Sequence, residues 1–150
     1  TFSSRGLGDV YKRQTKWHNE ILELSKNVDI LFGNEEEFKA LFKTDILSDA
    51  ISAARSQLKL SIITRGHNGS IVISDSQTDE IVAYPPDQLV DTTGAGDLYA
   101  AGFLFGLSKK MRYNECANLG SFLSSKVISN FGPRTDGDIR ELAISRGLLT

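Results

Sequence analysis

Cysteine is all but missing from this 150-residue sequence: Cys116 stands alone, which excludes an internal disulfide and a cysteine-rich zinc site built from this chain. Such usage fits a reducing compartment, and the expected localisation is cytoplasmic. Long apolar runs are missing too. None reaches the roughly 18–20 residues a bilayer-spanning helix needs, so no membrane partner is expected. Charge of one sign is equally scarce: 17 Lys and Arg against 19 Asp and Glu leave a formal net charge of -2. With no basic run or aromatic-interleaved basic patch to follow a phosphate backbone, nucleic acid is not an expected partner either. Internal repeats, low-complexity tracts and linkers are also lacking. What remains is a chain of single-domain length, able to bury roughly two thirds of its unfolded surface.

Residues 1–14, TFSSRGLGDVYKRQ, have no helical or alternating periodicity and begin without Met. They read as a non-native leader, a junction or assembly scar, with an ordinary mobile terminus as the alternative. The domain is then expected over 15–150. TKWHNEILELSK spaces Trp17, Ile21 and Leu24 on one helical face, and NVDILFGN is a short apolar run ending at Gly33, the pattern of a buried strand. NEEEFKALF returns to helical spacing through Phe38, Leu41 and Phe42. SDAISAARSQLK offers Ser48 as a cap and a stripe of Ile51, Ala54 and Leu58. LSIITRG is β-branched, Asn68-Gly69 turns the chain into SIVISD, and EIVAYPP supplies another strand before Pro85 and Pro86. Helices are expected over 98–107, 115–129 and 139–146. A helix between two strands, followed by hairpin strands, predicts an α/β layer with a parallel sheet and antiparallel strands at one side.

The stretch DTTGAGDLYAAGFLFGL, residues 91–107, puts glycines and a carboxylate directly before an apolar helix. In α/β sheets ligands bind where a loop beyond a strand's carboxyl end feeds a helix N-terminus. Gly94 and Gly96 allow φ > 0 and close approach, and the amides of residues 94–97 then face outward at the positive end of the helix dipole, forming an anion hole. The helix itself, apolar nearly all round, reads as buried, with Gly102 and Gly106 allowing close packing. A Walker A loop is excluded because Asp97, not Lys, follows Gly96, and a Rossmann fingerprint because Tyr99 stands where its third glycine belongs. A carboxylate there can take the proton of an attacking hydroxyl while the amides neutralise a transferring phosphoryl group. Equally, Asp97 can simply complement the helix dipole, worth about 0.3–1 kcal/mol.

DTTGAGDLYAAGF closely resembles the C-terminal signature of the ribokinase-like (PfkB) family of sugar and nucleoside kinases, among which bacterial adenosine kinases are the most similar. The resemblance runs from about Trp17 to the end and includes GNEEEF, TRGHNG and ECANLGSFLSSKVISNFGPR. It implies a ribokinase-like three-layer α/β/α (Rossmann-like) sheet, mostly parallel with antiparallel hairpin strands and truncated at its N-terminus, because the family's substrate-gripping N-terminal portion has no counterpart here. It also implies ATP and Mg²⁺ as cofactors, with K⁺ as a further candidate, and a nucleoside such as adenosine, or a sugar, as substrate. In that frame Asp97 is the general base and Gly94, Ala95 and Gly96 complete the anion hole. Asn34 and Glu37 belong to the nucleotide and Mg²⁺ site, Glu37 acting through water. Thr64, Gly66 and Gly69 line the phosphates, and Asn118 lies on the helix flanking the purine. Asp91 and Thr93, with backbone of 127–132, resemble a monovalent-cation site.

Each of these residues also has a plainer role. Asn34 and Glu37 have capping-box spacing. Thr64-x-Gly66 alone reads as an ordinary strand end, and Arg65 as a solvated side chain. His18 and His67 lack a metal-ligand companion at useful spacing, and Cys116 reads as core. The expected function is an ATP-dependent kinase acting on a primary hydroxyl, nucleoside first and sugar second, with a non-catalytic nucleotide-binding module as the rival. As a C-terminal fragment, the chain alone is expected to be inactive.

Overall fold

Residues 60–63 and 70–74 are buried on both sides of the strand pleat, and this sets the architecture. The computed structural model describes residues 4–85, 94–129 and 139–150, leaving out the side chains of 4–15, 127–129 and 139. In chain order the elements are α1 (Ser4–Asn27), β1 (Leu31–Asn34), α2 (Glu35–Leu41), α3 (Leu47–Gln57), β2 (Leu60–Thr64), a 3₁₀ turn (Gly66–Asn68), β3 (Ser70–Ser74), β4 (Thr78–Ile81), α4 (Ala95–Ser108), α5 (Tyr113–Ser129) and α6 (Ile139–Ser145). The four strands lie in the order β1-β2-β3-β4. β1 and β2 are parallel, with Asn34 beside Thr64, while β2-β3 and β3-β4 are antiparallel. The sheet is thus mixed, with the antiparallel strands at one side.

Alternation then sorts the core into two layers. Leu60, Ile62 and Val72 pack on one face with Tyr99 and Phe103 of α4 and Cys116 and Ala117 of α5. Ile63, Ile71 and Ile73 pack on the other with Phe38 of α2 and Ala50, Ala54 and Leu58 around α3. Ile62, Ile63 and Phe103 are fully buried, and each such side chain stabilises the fold by about 1.5–3 kcal/mol relative to exposure. α4 and α5 approach closely because they meet through glycine. A β-carbon on Gly102 would stand 2.8 Å from the Gly120 Cα, and one on Gly106 would stand 2.8 Å from Cys116 Sγ.

Several boundaries and faces differ from expectation. α1 begins at Ser4 rather than Thr15, so residues 4–14 are helical. Its stripe of Trp17, Ile21 and Leu24 is exposed rather than packed. Ser48 does not cap α3: the N-cap is Ile46, without a side-chain bond. Ile46 N–H instead donates to Thr44 Oγ1 at 3.1 Å, and this local turn sets the helix start before Ser48 is reached. The last strand is TDEI, not EIVAYPP; register against β3 runs from Thr78 to Ile81, and Val82 beyond it is exposed. α4 starts three residues earlier than expected and is not buried all round. Tyr99, Gly102, Phe103 and Gly106 face inward, whereas Leu104 and Phe105 are more than two-fifths exposed. An all-apolar helix gives no period from which its covered side can be read.

Candidate active site

At the carboxyl end of β1 the chain turns straight into α2, and the turn is closed by side chains. Asn34 Oδ1 accepts from the Glu37 amide at 2.8 Å, and the Asn34 amide donates to Glu37 Oε2 at 2.7 Å. This capping box satisfies two amides that a helix start otherwise leaves unpaired. Glu37 Oε1 has no hydrogen bond among the described residues, so the exposed carboxylate retains an acceptor. Behind it, Lys39 bonds Glu35 Oε1 at 2.7 Å, a contact that raises the ammonium pKa.

The neighbouring strand end carries the second part. Thr64, paired with Asn34 across the parallel ladder, donates from Oγ1 to the Gly33 carbonyl at 3.4 Å. The loop after it is closed on itself: Arg65 N–H donates to the Gly69 carbonyl at 2.8 Å, Asn68 N–H to Arg65 and Gly69 N–H to Gly66, both at 3.1 Å. Gly66 has φ 59° and Gly69 φ 84°, and a β-carbon on Gly69 would overlap the Ile81 carbonyl oxygen. The loop therefore needs glycine at both places. Arg65 is not solvated as expected. Its side chain is 17% exposed, 3.9 Å from Glu80 Oε2, and Nη2 donates to the Asn68 carbonyl at 3.0 Å. It braces the turn because the loop's own curl brings that carbonyl within reach.

The third part is the start of α4. Gly94 is its N-cap, with φ 81° and no side-chain cap. The helix's first turn is closed by Leu98 N–H donating to the Gly94 carbonyl at 3.1 Å. The amides of Ala95, Gly96 and Asp97 precede the first intrahelical donor and so lack helical partners. Among the described residues, nothing would meet a β-carbon on Gly94 or Gly96 within 4 Å. Gly96 lies in the helix without the positive φ expected of it. Asp97 is exposed in the first turn. Amides without helical partners, a helix dipole and a carboxylate in one turn suit an anion whose reacting partner must lose a proton.

A contact absent from the sequence reading joins the second part to the third. Tyr99, one residue past Leu98, meets Ser70 at the head of β3 with its hydroxyl 2.6 Å from Ser70 Oγ. Burial pushes the Tyr99 phenol up to about 12, partly opposed by the Ser70 bond. The available signal was a hydroxyl on an otherwise apolar helix face, since a buried tyrosine needs a partner for it. Asn118 is placed elsewhere, on a groove of about 540 Å³ with Phe105, Lys109, Met111, Glu115 and Arg140, at the carboxyl end of α4. There the Arg112 guanidinium lowers the Glu115 carboxyl. Cys116 is core, as expected, and burial raises its thiol. Asp91, Thr93 and residues 130–132 lie outside the described residues, as do the side chains of 127–129. No group of three or more His, Cys, Asp or Glu close enough to hold a metal occurs among the described residues.

The parallel ends of β1 and β2 lie side by side at Asn34 and Thr64, and the Tyr99–Ser70 bond ties the first turns of α4 to the head of β3, an arrangement of the α/β class. The sequence matches the pfkB family of carbohydrate kinases over residues 7–140, and the chain belongs to that family. It is 31% identical over 134 residues to an uncharacterized sugar kinase of Archaeoglobus fulgidus, covering 89% of this chain and 48% of that protein. A cytidine kinase of Thermococcus kodakarensis is 33% identical over 127 residues, covering 82% of this chain and 45% of the relative. Among solved structures, an adenosine kinase from Sinorhizobium meliloti superposes with a TM-score of 0.82 at 36% identity, over 88% of this chain and 41% of that one. The chain thus spans about half the length of the curated relatives it matches.

Proposed function

We propose that this chain is the nucleotide-side half of an ATP- and Mg²⁺-dependent kinase that phosphorylates the primary hydroxyl of a nucleoside, adenosine first among candidates. The observation that carries the reading is the start of α4: a left-handed Gly94 N-cap with no side-chain cap, amides that have no partner within the helix, and an exposed Asp97 in the same turn. Bound ATP and Mg²⁺ would supply the transferable phosphoryl group and a divalent charge to neutralise it. The chain's residues suit that group. Gly94, Ala95 and Gly96 present amides to the phosphoryl oxygens as charge develops. Asp97 accepts the proton of the attacking hydroxyl while the new O–P bond forms and the bond to the ADP oxygen breaks. Thr64, Gly66 and Gly69 hold the remaining phosphates, and Glu37 keeps an oxygen for a metal-bound water, as suits an ion that retains its hydration. Asn118 belongs to the purine side, and Asp91 with Thr93 to a K⁺ site.

Adenosine is placed before a sugar because the Sinorhizobium meliloti adenosine kinase is both close in fold and 36% identical. The Archaeoglobus fulgidus relative, described as a sugar kinase, keeps a sugar as the second reading. The test is ATP-dependent phosphorylation by the full-length protein carrying this segment, across adenosine, cytidine, ribose and fructose. Adenosine should give the highest kcat/KM. A sugar in first place would move the protein to the second reading. ATP binding without transfer to any acceptor would leave a non-catalytic nucleotide-binding module.

A further inference from the structure

Two hydroxyls, 29 residues apart in the chain, meet at 2.6 Å inside the protein. Ser70 is 1% exposed and Tyr99 5%, so neither has water as an alternative partner, and losing either hydroxyl leaves the other buried and unsatisfied. Ser70 directly follows Gly69, where an added β-carbon would overlap the Ile81 carbonyl of β4. The loop of residues 65–69 is closed by its own three backbone bonds and runs directly into the head of β3 at Ser70. On the other side Tyr99 is two residues past Asp97, and its backbone carbonyl lies so close to Gly120 of α5 that a β-carbon there would stand 2.6 Å away. The phenol is gripped by α5 at its root and by β3 at its tip.

We propose that the Tyr99–Ser70 pair is a positioning device, fixing the helix start that carries Asp97 against the loop that carries Gly66 and Gly69. It rests on the kinase reading, since its consequence is catalytic: an ATP seated on the loop would find the base already in register with its γ-phosphoryl group. Tyr99 touches no substrate; it acts through the two segments it joins. At working pH both hydroxyls are neutral, so the pair holds as a neutral hydrogen bond.

The test uses the full-length protein with Tyr99→Phe, Ser70→Ala and the double variant, measuring kcat, KM for ATP and thermal midpoint in each. Each single variant should lower kcat by about 5- to 10-fold, the factor that one buried hydrogen bond represents, with KM for ATP changed less than kcat. The double variant should be no slower than either single one. Its midpoint should rise above both, because no hydroxyl is left without a partner, while its kcat stays low. Recovery of kcat together with the midpoint would show a merely structural contact and overturn the proposal. Parental kcat in Tyr99→Phe would overturn it too, leaving the kinase reading intact. A parent that phosphorylates no nucleoside or sugar would overturn the kinase reading and this inference with it.

Discussion

Replacing Gly69 by alanine should damage the protein far more than replacing Gly66, although both glycines sit in one loop with positive φ. At Gly66, φ 59° is a left-handed conformation with nothing within 4 Å of a new β-carbon, so the cost is backbone strain alone, about 1–2 kcal/mol. At Gly69, φ 84° with ψ -146° is a region that is essentially glycine's own, at about 1–3 kcal/mol. There the β-carbon also overlaps the Ile81 carbonyl oxygen, which belongs to backbone and cannot rotate away. Relief requires β4 to move from β3 at the Ser70–Ile81 pair, leaving buried backbone groups unmade at about 1–3 kcal/mol each. The expected total for Gly69→Ala is roughly 4 kcal/mol, a large share of a stability of about 5–15 kcal/mol. Urea unfolding of the two variants beside the parent measures this, read from midpoints at constant slope. Equal losses in the two variants, or a Gly69→Ala loss near 1 kcal/mol, would refute the overlap argument.

Asp97→Asn in the full-length protein should lower kcat by about 10²–10⁴, as for a lost general base, at a stability cost of no more than about 1 kcal/mol. ATP affinity should persist, and near-normal turnover with a large loss of midpoint would make Asp97 structural. Burial raises the Tyr99 phenol from its ordinary value near 10 to about 12, so folding favours its protonated form. The stability this contributes is intact below pH 10 and is lost between pH 10 and 12. Alkaline absorbance titration should show a tyrosinate step near pH 12 that is absent in Tyr99→Phe. Deleting residues 1–14 should change stability by less than about 0.5 kcal/mol; a clearly lower melting midpoint would show that the early turns of α1 are held by the fold. The 150-residue chain alone should show little ATP-dependent phosphorylation of adenosine, and efficient turnover would contradict the need for the segment its relatives add.

What was legible in the sequence was mostly local. The capping box at Asn34 and Glu37 could be read three residues apart because a helix start dictates that spacing. β2 and β3 could be read from their runs of β-branched residues and the Asn68-Gly69 turn between them. α4 was recognised as a helix but not its sidedness, because Leu104 and Phe105 outside are chemically like Phe103 inside. Ser48 misled because Thr44, four residues upstream, closes the turn first. The inward fold of Arg65 and the Tyr99–Ser70 bond were illegible for a different reason: the first depends on how the 65–69 loop curls beside β4, the second on where a strand and a helix from separate parts of the chain come to rest.

Spatial order in the sheet follows chain order, β1 through β4, and this bears on how fast the segment assembles. β2 with β3 and β3 with β4 need only tight hairpins, and β1 with β2 closes across α2 and α3. Loop-closure entropy grows slowly with length, and rates rise when contacting residues are near in sequence. Hairpin pairing is a microsecond event, far faster than docking of separately folded parts. The sheet should therefore nucleate from its own hairpins, with β1, an edge strand among the described residues, joining across the longer α2–α3 connection.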